Sequence, residues 1–404
     1  MKECAVKTNK ALGRQLKRHV LAVEHRMAAI TAPEFIPLCE QELRGIGLLE
    51  LAPTEAGIEF SAKLTAGYLC NLRLRTAGRI VMRLARFRCG AVEQLFHKVS
   101  TFRWELWLHS GLRLHIDVYV RRSRMQHEGL IEKTVLQGIQ RRFEELRLVP
   151  PALCQALHAQ EDCASDAVQR LLVRVVDNAC EISLDSSGAH LHQRGYRRVH
   201  TGAPLRETLA AAILMKAGWH GDRPLVDGMC GSGTVPIEAS LLARRLPPGS
   251  GRAFLFEQWP SYQAKTWRYL LRQANDHALA KAPVPIIAID ENPEAIAASR
   301  QNADHARVGK DIVWHQRDFF SIRPQELNVE PGLLFLNPPY GKRLPQEDDF
   351  YERLGAHLRR FYPGWQAAVM APDRPRALRL KLARARYWHI KHGGLPIVVV
   401  FTRL

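Results

Sequence analysis

The sequence predicts an α/β protein in two parts: a small α+β region, then a doubly wound, mostly parallel sheet. Three observations predict it. Leu225-Val226-Asp227 reads as a buried strand, and Gly228-Met229-Cys230-Gly231-Ser232-Gly233-Thr234 as a tight turn into an apolar-periodic helix that runs to Arg244. Further apolar runs at 286–290, 312–316 and 333–336 alternate with helical stretches, the order that builds a parallel sheet. Before residue 190 the strands instead alternate apolar and polar residues and bear clusters of arginine.

Taken in order, residues 1–30 are a basic lead, with Lys7, Lys10, Arg14, Lys17 and Arg18 on a loose helix or a solvated tail. From Ala32 a compact pattern begins. A helix opens at Phe35, turns Leu38 and Leu43 inward, and ends at Gly45 and Gly47. Strand 58–62, a helix over about 65–76 and strand 79–87 complete a first α+β module over residues 31–88. A second, over 89–188, has a helix at 91–102 with Val92, Leu95 and Phe96 on one face. Strand 112–121, helix 129–147 and strands near 169–176 and 179–185 follow. Residues 189–204 read as a basic connector. A helix with Pro204 in its first turn then leads into the parallel sheet, over 205–404. An insert at 246–282, bearing Trp259 and Trp267, reads as a packed helical excursion, with a lid or substrate surface as the alternative. The chain closes with strand 365–371, a basic helix near 375–385, and strands near 387–391 and 396–403.

At 404 residues two or three domains are expected. A hydrophobic content of 46% is ordinary; a net charge of +18 is not. A polyanion partner accounts for that excess, because Lys and Arg displace condensed counterions from phosphates. A merely solubilising charge would serve with either sign. No apolar run approaches the roughly 20 residues of a membrane span, and no Cys-x-x-Cys pair suggests a zinc site. Neither a membrane nor a metal is therefore expected, and reduced thiols in a cytoplasmic protein are the simplest reading of the eight cysteines.

The chemistry concentrates in two motifs. Gly231 and Gly233 permit a sharp turn and close approach of a ligand, and Ser232 and Thr234 are placed to cap the following helix. The spacing is not G-x-G-x-x-G, and a Gly-Ser-Gly turn alone also suits an ordinary strand-to-helix connection. The second motif is Asn337-Pro338-Pro339-Tyr340, ending strand 333–336. Its prolines stop the strand and stiffen the turn. The Asn337 side chain and the Pro338 carbonyl become a fixed pair of acceptors beside an aromatic ring, suited to gripping the exocyclic amine of a nucleobase. Asp290, at the end of strand 286–290, either accepts ribose hydroxyls or caps the next helix.

Residues 227–234 and Asn337-Pro338-Pro339-Tyr340-Gly341-Lys342-Arg343-Leu344 resemble the THUMP-domain class I S-adenosylmethionine-dependent RNA guanine-N2 methyltransferases. The resemblance runs from about residue 32 to the last strand. It departs at Gly228, where the family usually has proline, a change that loosens the turn. It implies a Rossmann-like domain with a seven-stranded sheet, preceded by a ferredoxin-like module and a THUMP RNA-binding domain. It implies S-adenosylmethionine as cofactor, held by Asp227, Cys230, Gly231, Ser232, Gly233 and Asp290. Asp318 would bind the adenine amine and Phe319 would pack on the adenine ring. Asn337, Pro338 and Tyr340 would act on the base; Arg121, Arg122, Arg124, Arg194, Arg197, Lys342 and Arg343 would meet RNA, with Tyr196 stacking. For Arg194 and Arg197 a brace between domains is the equal alternative. The implied reaction is methylation of the N2 amine of a guanine in 23S ribosomal RNA. The alternatives are a tRNA substrate, a DNA or RNA adenine-N6 or DNA cytosine-N4 methyltransferase, and a noncatalytic RNA-binding assembly factor.

Overall fold

The structure, a computed structural model, describes residues 10–154, 168–199, 205–338, 349–392 and 394–404. Two compact units make up the chain: Met1–Leu191 with Ala253–Leu270, and His192–Arg252 with Leu271–Leu404.

The N-terminal unit is built on one sheet. Its strands are β1 (Glu24–Ile30), β2 (Leu51–Thr54), β3 (Gly57–Lys63), β4 (Arg79–Arg88), β5 (Arg113–Arg121), β6 (Ala152–Leu153), β7 (Val168–Val176) and β8 (Ala179–Asp185). They lie in the order β2-β3-β1-β4-β8-β7-β5-β6. β5 runs parallel to β7, joined through helix Glu128–Glu145; β4 and β8 pair antiparallel. The two α+β modules expected to part at residue 88 therefore share one continuous sheet, closed through β4 and β8.

Two expectations change here, and a third is settled between its alternatives. The basic lead contains helix Lys10–Leu16 and strand β1, and β1 lies inside the sheet, paired with both β3 and β4. Its Met27, Ala28 and Ala29 are buried, so the compact pattern starts before Ala32. Helix Val92–Thr101 buries Leu95 and Val99 and leaves Phe96 exposed, a face rotated from the expected one. The insert is a packed helical excursion and not a lid: it carries helix Ala264–Asp276, and its Ala253–Leu270 stretch belongs to the N-terminal core. There Phe256 stacks on Tyr68 with centroids 4.2 Å apart, Trp267 meets Phe256 edge-on, and Trp259 Nε1 donates to Gln169 Oε1 at 2.9 Å. Such aromatic contacts add about 0.5–1.5 kcal/mol each beyond area burial.

The C-terminal unit carries β9 (Leu225–Asp227), β10 (Ile286–Asp290), β11 (Ile312–Gln316), β12 (Leu333–Leu336), β13 (Gln366–Ala371), β14 (Arg386–His392) and β15 (Leu395–Arg403). The order is β11-β10-β9-β12-β13-β15-β14, the seven-stranded sheet expected. β11 through β13 are parallel neighbours in that order, and β15 and β14 close the sheet antiparallel. β9, β12 and β13 are buried throughout or nearly so, which is why they read as unbroken apolar runs. The closing basic helix is shorter than expected, Arg374–Arg379. Among the described residues no helix is long and apolar enough to cross a membrane.

Candidate active site

β9 and β12 are neighbours where the strand order reverses: β10 and β11 follow β9 on one side, β13 follows β12 on the other. Ligand crevices open outside the carboxyl ends of strands at such a point. Both motifs start there. Phe335 pairs with Asp227, and the Gly228 N–H donates to the Phe335 carbonyl at 3.0 Å. The glycine turn and Asn337-Pro338 thus leave the sheet side by side.

Gly231 and Gly233 have φ of 53° and 83°, in the left-handed region that favours glycine. They are not equivalent. A β-carbon on Gly233 would lie 2.7 Å from the Ser299 side chain, whereas no atom of the described residues lies within 4 Å of the corresponding point on Gly231. One glycine is enclosed by packing and the other has an open side. The Gly231 N–H donates to Asp290 Oδ2 at 2.8 Å, and Asp290 Oδ1 accepts from Asn292 N at 3.0 Å. Asn292 itself caps helix Pro293–His305, so Asp290 organises the turn rather than capping. Ser232 and Thr234 do not cap helix Thr234–Ala243; Gly233 stands at its N-cap with no side-chain bond. Thr234 Oγ1 instead accepts from Arg197 at 2.7 Å, and the Ser232 carbonyl accepts from Asn302 Nδ2 at 3.3 Å.

Asp227 is 1% exposed, with Oδ1 accepting from Met229 N at 3.3 Å. Burial, then the charge of Asp290, pushes its carboxyl well above the usual carboxylate range. Burial likewise pushes the Cys230 thiol up, which keeps it from acting as a thiolate nucleophile. Asp318 is exposed and its Oδ1 accepts from Phe320 N at 3.0 Å. Phe319 departs from expectation: it is 2% exposed and stacked on Tyr362, so it presents no open face to an adenine ring. Its ring packs beneath the turn, where a β-carbon on Gly228 would lie 2.6 Å from both Phe319 and Leu336. Glycine at 228 is therefore fixed by packing; it is not a loosened version of a proline turn.

Asn337 Oδ1 is buried and has no hydrogen-bond partner among the described residues. A buried amide oxygen left unpaired costs about 1–3 kcal/mol, which makes it a waiting acceptor. Pro338 is buried beside it. Tyr340, Lys342 and Arg343 lie outside the described residues. The open side of Gly231 and the free oxygen of Asn337 fit a site for S-adenosylmethionine and an amine. The residues able to hold the cofactor are Asp227, the 230–233 turn, Asp290 and Asp318.

The arginines expected to meet RNA divide. Arg194 is 3% exposed, with Nε 3.5 Å from Glu238; Tyr196 is buried, its hydroxyl donating to Glu238 at 3.3 Å. Arg197 reaches Glu207 at 3.3 Å and donates to the Leu205 carbonyl at 2.8 Å. These three residues brace the inside of the C-terminal unit, which favours the bracing alternative over contact with RNA. Their acids, Glu207 and Glu238, escaped sequence reading because nothing in the local pattern marks them as partners. Arg121, Arg122 and Arg124 are exposed in the N-terminal unit, though Arg122 is paired with Asp177 at 3.0 Å.

Residues 194–398 match the model of the RMKL-like methyltransferase domain family, and residues 26–81 match that of the RlmL ferredoxin-like domain. A Synechocystis protein named for an inferred RNA methyltransferase activity is 31% identical over 369 residues, covering 90% of this chain and 92% of its own. The ribosomal RNA large subunit methyltransferase K/L of Syntrophotalea carbinolica is 34% identical over 385 residues, covering 90% of this chain but 52% of its own length. The chain thus spans about half of that relative. The structure of SMU.472, named for an inferred methyltransferase activity and complexed with SAH, superposes with a TM-score of 0.82 at 23% identity, over 94% of this chain and 98% of its own, which supports the fold. With the domain model matched across the glycine turn and Asn337-Pro338, the chain belongs to the RMKL-like family of S-adenosylmethionine-dependent methyltransferases.

Proposed function

We propose that this enzyme methylates the exocyclic N2 amine of a guanine in large-subunit ribosomal RNA. The observation that carries the reading is the unpaired, buried Asn337 Oδ1 at the end of β12, beside the glycine turn. The amine of guanine is a weak nucleophile because its lone pair is delocalised into the ring. When bound, the cofactor supplies an electrophilic methyl group. Asn337 Oδ1 accepts one N–H of the amine and the Pro338 carbonyl the other, which favours a pyramidal nitrogen with its lone pair free. Holding that geometry is most of the catalysis, since no strong base is needed before the methyl is transferred. Tyr340 follows in sequence and stacks on the extruded base. The net charge of +18 and the likeness to the K/L enzymes favour ribosomal RNA.

The test is transfer of tritiated methyl groups into unmodified total RNA, followed by nucleoside mass spectrometry. The expected product is N2-methylguanosine in large-subunit RNA, reduced about 100-fold or more by Asn337→Ala, in line with loss of one fixed hydrogen bond in a transition state. The same nucleoside in tRNA would move the substrate and keep the chemistry. N6-methyladenosine, or label in DNA, would overturn the guanine assignment.

A further inference from the structure

On the N-terminal unit, a cleft of 480 Å³ is lined by Arg88, Gln94, His97, Lys98, Arg124 and Asn178, with Cys89 and Gly90. That volume is within the range of ligand clefts, about 300–1,000 Å³. Its chemistry is one-sided. Four lining residues are basic and none is acidic. The side chains of Arg88, Lys98 and Arg124 form no ion pair among the described residues. Two acids of the adjoining strands are engaged elsewhere, Asp177 with Arg122 and Glu181 with Arg83, each at 3.0 Å. The two amides are also turned to donate. Gln94 Oε1 accepts from Gly90 N at 3.1 Å, and Asn178 Oδ1 from Arg124 N at 2.8 Å, which leaves their NH₂ groups for a ligand.

The cleft is built rather than accidental. Asn178 sits in the left-handed region, φ 60°, and ties three segments together. Its carbonyl accepts from Cys89 N at 2.9 Å, its N–H donates to Ser123 Oγ at 3.1 Å, and its side chain holds Arg124 N. Asn178 thus fixes the segments that carry Arg88 and Arg124, and Gln94, accepting from Gly90 N, ties in the helix that carries His97 and Lys98, so that these side chains line one cleft although like charges brought together repel. An arrangement of donors with no acceptor charge calls for an oxyanion.

We propose that this cleft grips backbone phosphates of the RNA substrate, as an anchoring site separate from the methyl-transfer residues. The proposal rests on the RNA reading above. It replaces the row Arg121, Arg122 and Arg124 with a cluster of Arg88, His97, Lys98 and Arg124 drawn from three segments.

The test is binding of a fluorescein-labelled single-stranded RNA of about 20 nucleotides, titrated over a salt series, with wild type, the triple variant Arg88→Gln/Lys98→Gln/Arg124→Gln, and Lys98→Glu as a single-site check should the triple variant fold poorly. The triple variant is expected to bind at least 30-fold more weakly at about 0.1 M salt, with a log–log salt slope shallower by about 2, since each single-strand phosphate contact contributes about 0.7. Lys98→Glu is expected to weaken binding about 10-fold, more than Arg122→Gln, whose charge is already paired. Unchanged affinity and slope in both cleft variants would overturn the proposal. So would displacement of the RNA by inorganic phosphate or adenosine monophosphate below about 1 mM, which would assign the cleft to a small anion. Methyl transfer is measured on the same preparations. If wild type methylates no RNA yet binds it through the cleft, the proposed reaction falls and the cleft stands; if it methylates RNA and the triple variant binds normally, the reverse holds.

Discussion

Arg197 and Arg124 sit in similar sequence surroundings, Arg194-Gly195-Tyr196-Arg197-Arg198 and Arg121-Arg122-Ser123-Arg124. Their fates differ. Arg197 lies in the C-terminal unit, 11% exposed at its side chain, against Glu207, the Leu205 carbonyl and Thr234. Arg124 stands exposed on a cleft of the N-terminal unit, and only its backbone N–H is engaged. The first cluster uses its cations to hold the chain against the helix that follows the glycine turn. In the second, Arg122 is paired with Asp177 while Arg124 is left for a ligand. What separates them is whether folding brings up an acid, and neither Glu207 nor Glu238 is adjacent in sequence to the arginine it meets.

The largest effect should come from breaking the paired side. Arg197→Ala leaves Glu207, 3% exposed, without its cation. Removing one partner of a buried pair costs about 3–5 kcal/mol. Urea unfolding at about pH 8, where Glu207 is ionised, should show that loss as a lower midpoint with an unchanged slope. A loss below about 1 kcal/mol would mean the pair is not structural, and the contrast with Arg124 would fail.

This contrast also marks where the sequence was informative. Strand periodicity and the two motifs were legible because each depends on neighbours in the chain. Leu225–Asp227 and Leu333–Leu336 are buried on both faces, and runs of that kind show their burial in composition. What was missed depends on distant partners. β1 begins Glu24-His25-Arg26, and those polar residues hid the buried Met27-Ala28-Ala29 behind them. Phe256 looked like part of the second domain until Tyr68, almost two hundred residues earlier, stacked on it. Phe319 looked available for an adenine ring because nothing local reveals that Tyr362 covers it.

The next effect sharpens the paired side by titration. Burial raises the Glu207 carboxyl from 4.5 to about 7, against the pull of Arg197. A raised folded value means that the folded state keeps a proton the unfolded chain releases near 4.5. The stability this group contributes is therefore fully present below 4.5 and is lost as pH rises through about 7. Glutamine does not titrate. Glu207→Gln should gain on wild type by up to about 3 kcal/mol between pH 4 and pH 8, read as a Tm difference that grows with pH. A difference independent of pH would mean that this carboxyl titrates in the fold as it does in the unfolded chain, and the raised value would fail.

The glycine turn gives a smaller pair of effects. Gly228→Ala pushes a methyl group into Phe319 and Leu336 and should cost about 1–3 kcal/mol of stability, as overpacking does. Gly231→Ala meets no atom within 4 Å and should cost less, about 1 kcal/mol from its backbone conformation. Its methyl group would stand on the open side of the turn, so calorimetry should show the larger loss of S-adenosylmethionine affinity in Gly231→Ala. If the order is reversed, the open side of Gly231 does not face the cofactor.

The smallest effect is the one that defines the unpaired side. Lys98→Gln/Arg124→Gln removes two exposed cations that have no ion-pair partner among the described residues. If they serve a ligand and not the fold, stability should stay within about 0.5 kcal/mol of wild type, as for other surface changes. The sign is informative as well. Relief of repulsion should make the variant slightly the more stable at low salt, and the gap should close as salt shortens the Debye length to about 8 Å near 0.15 M. A loss above about 1 kcal/mol, insensitive to salt, would mean that these cations brace the N-terminal unit as Arg197 braces the other, through contacts other than ion pairs.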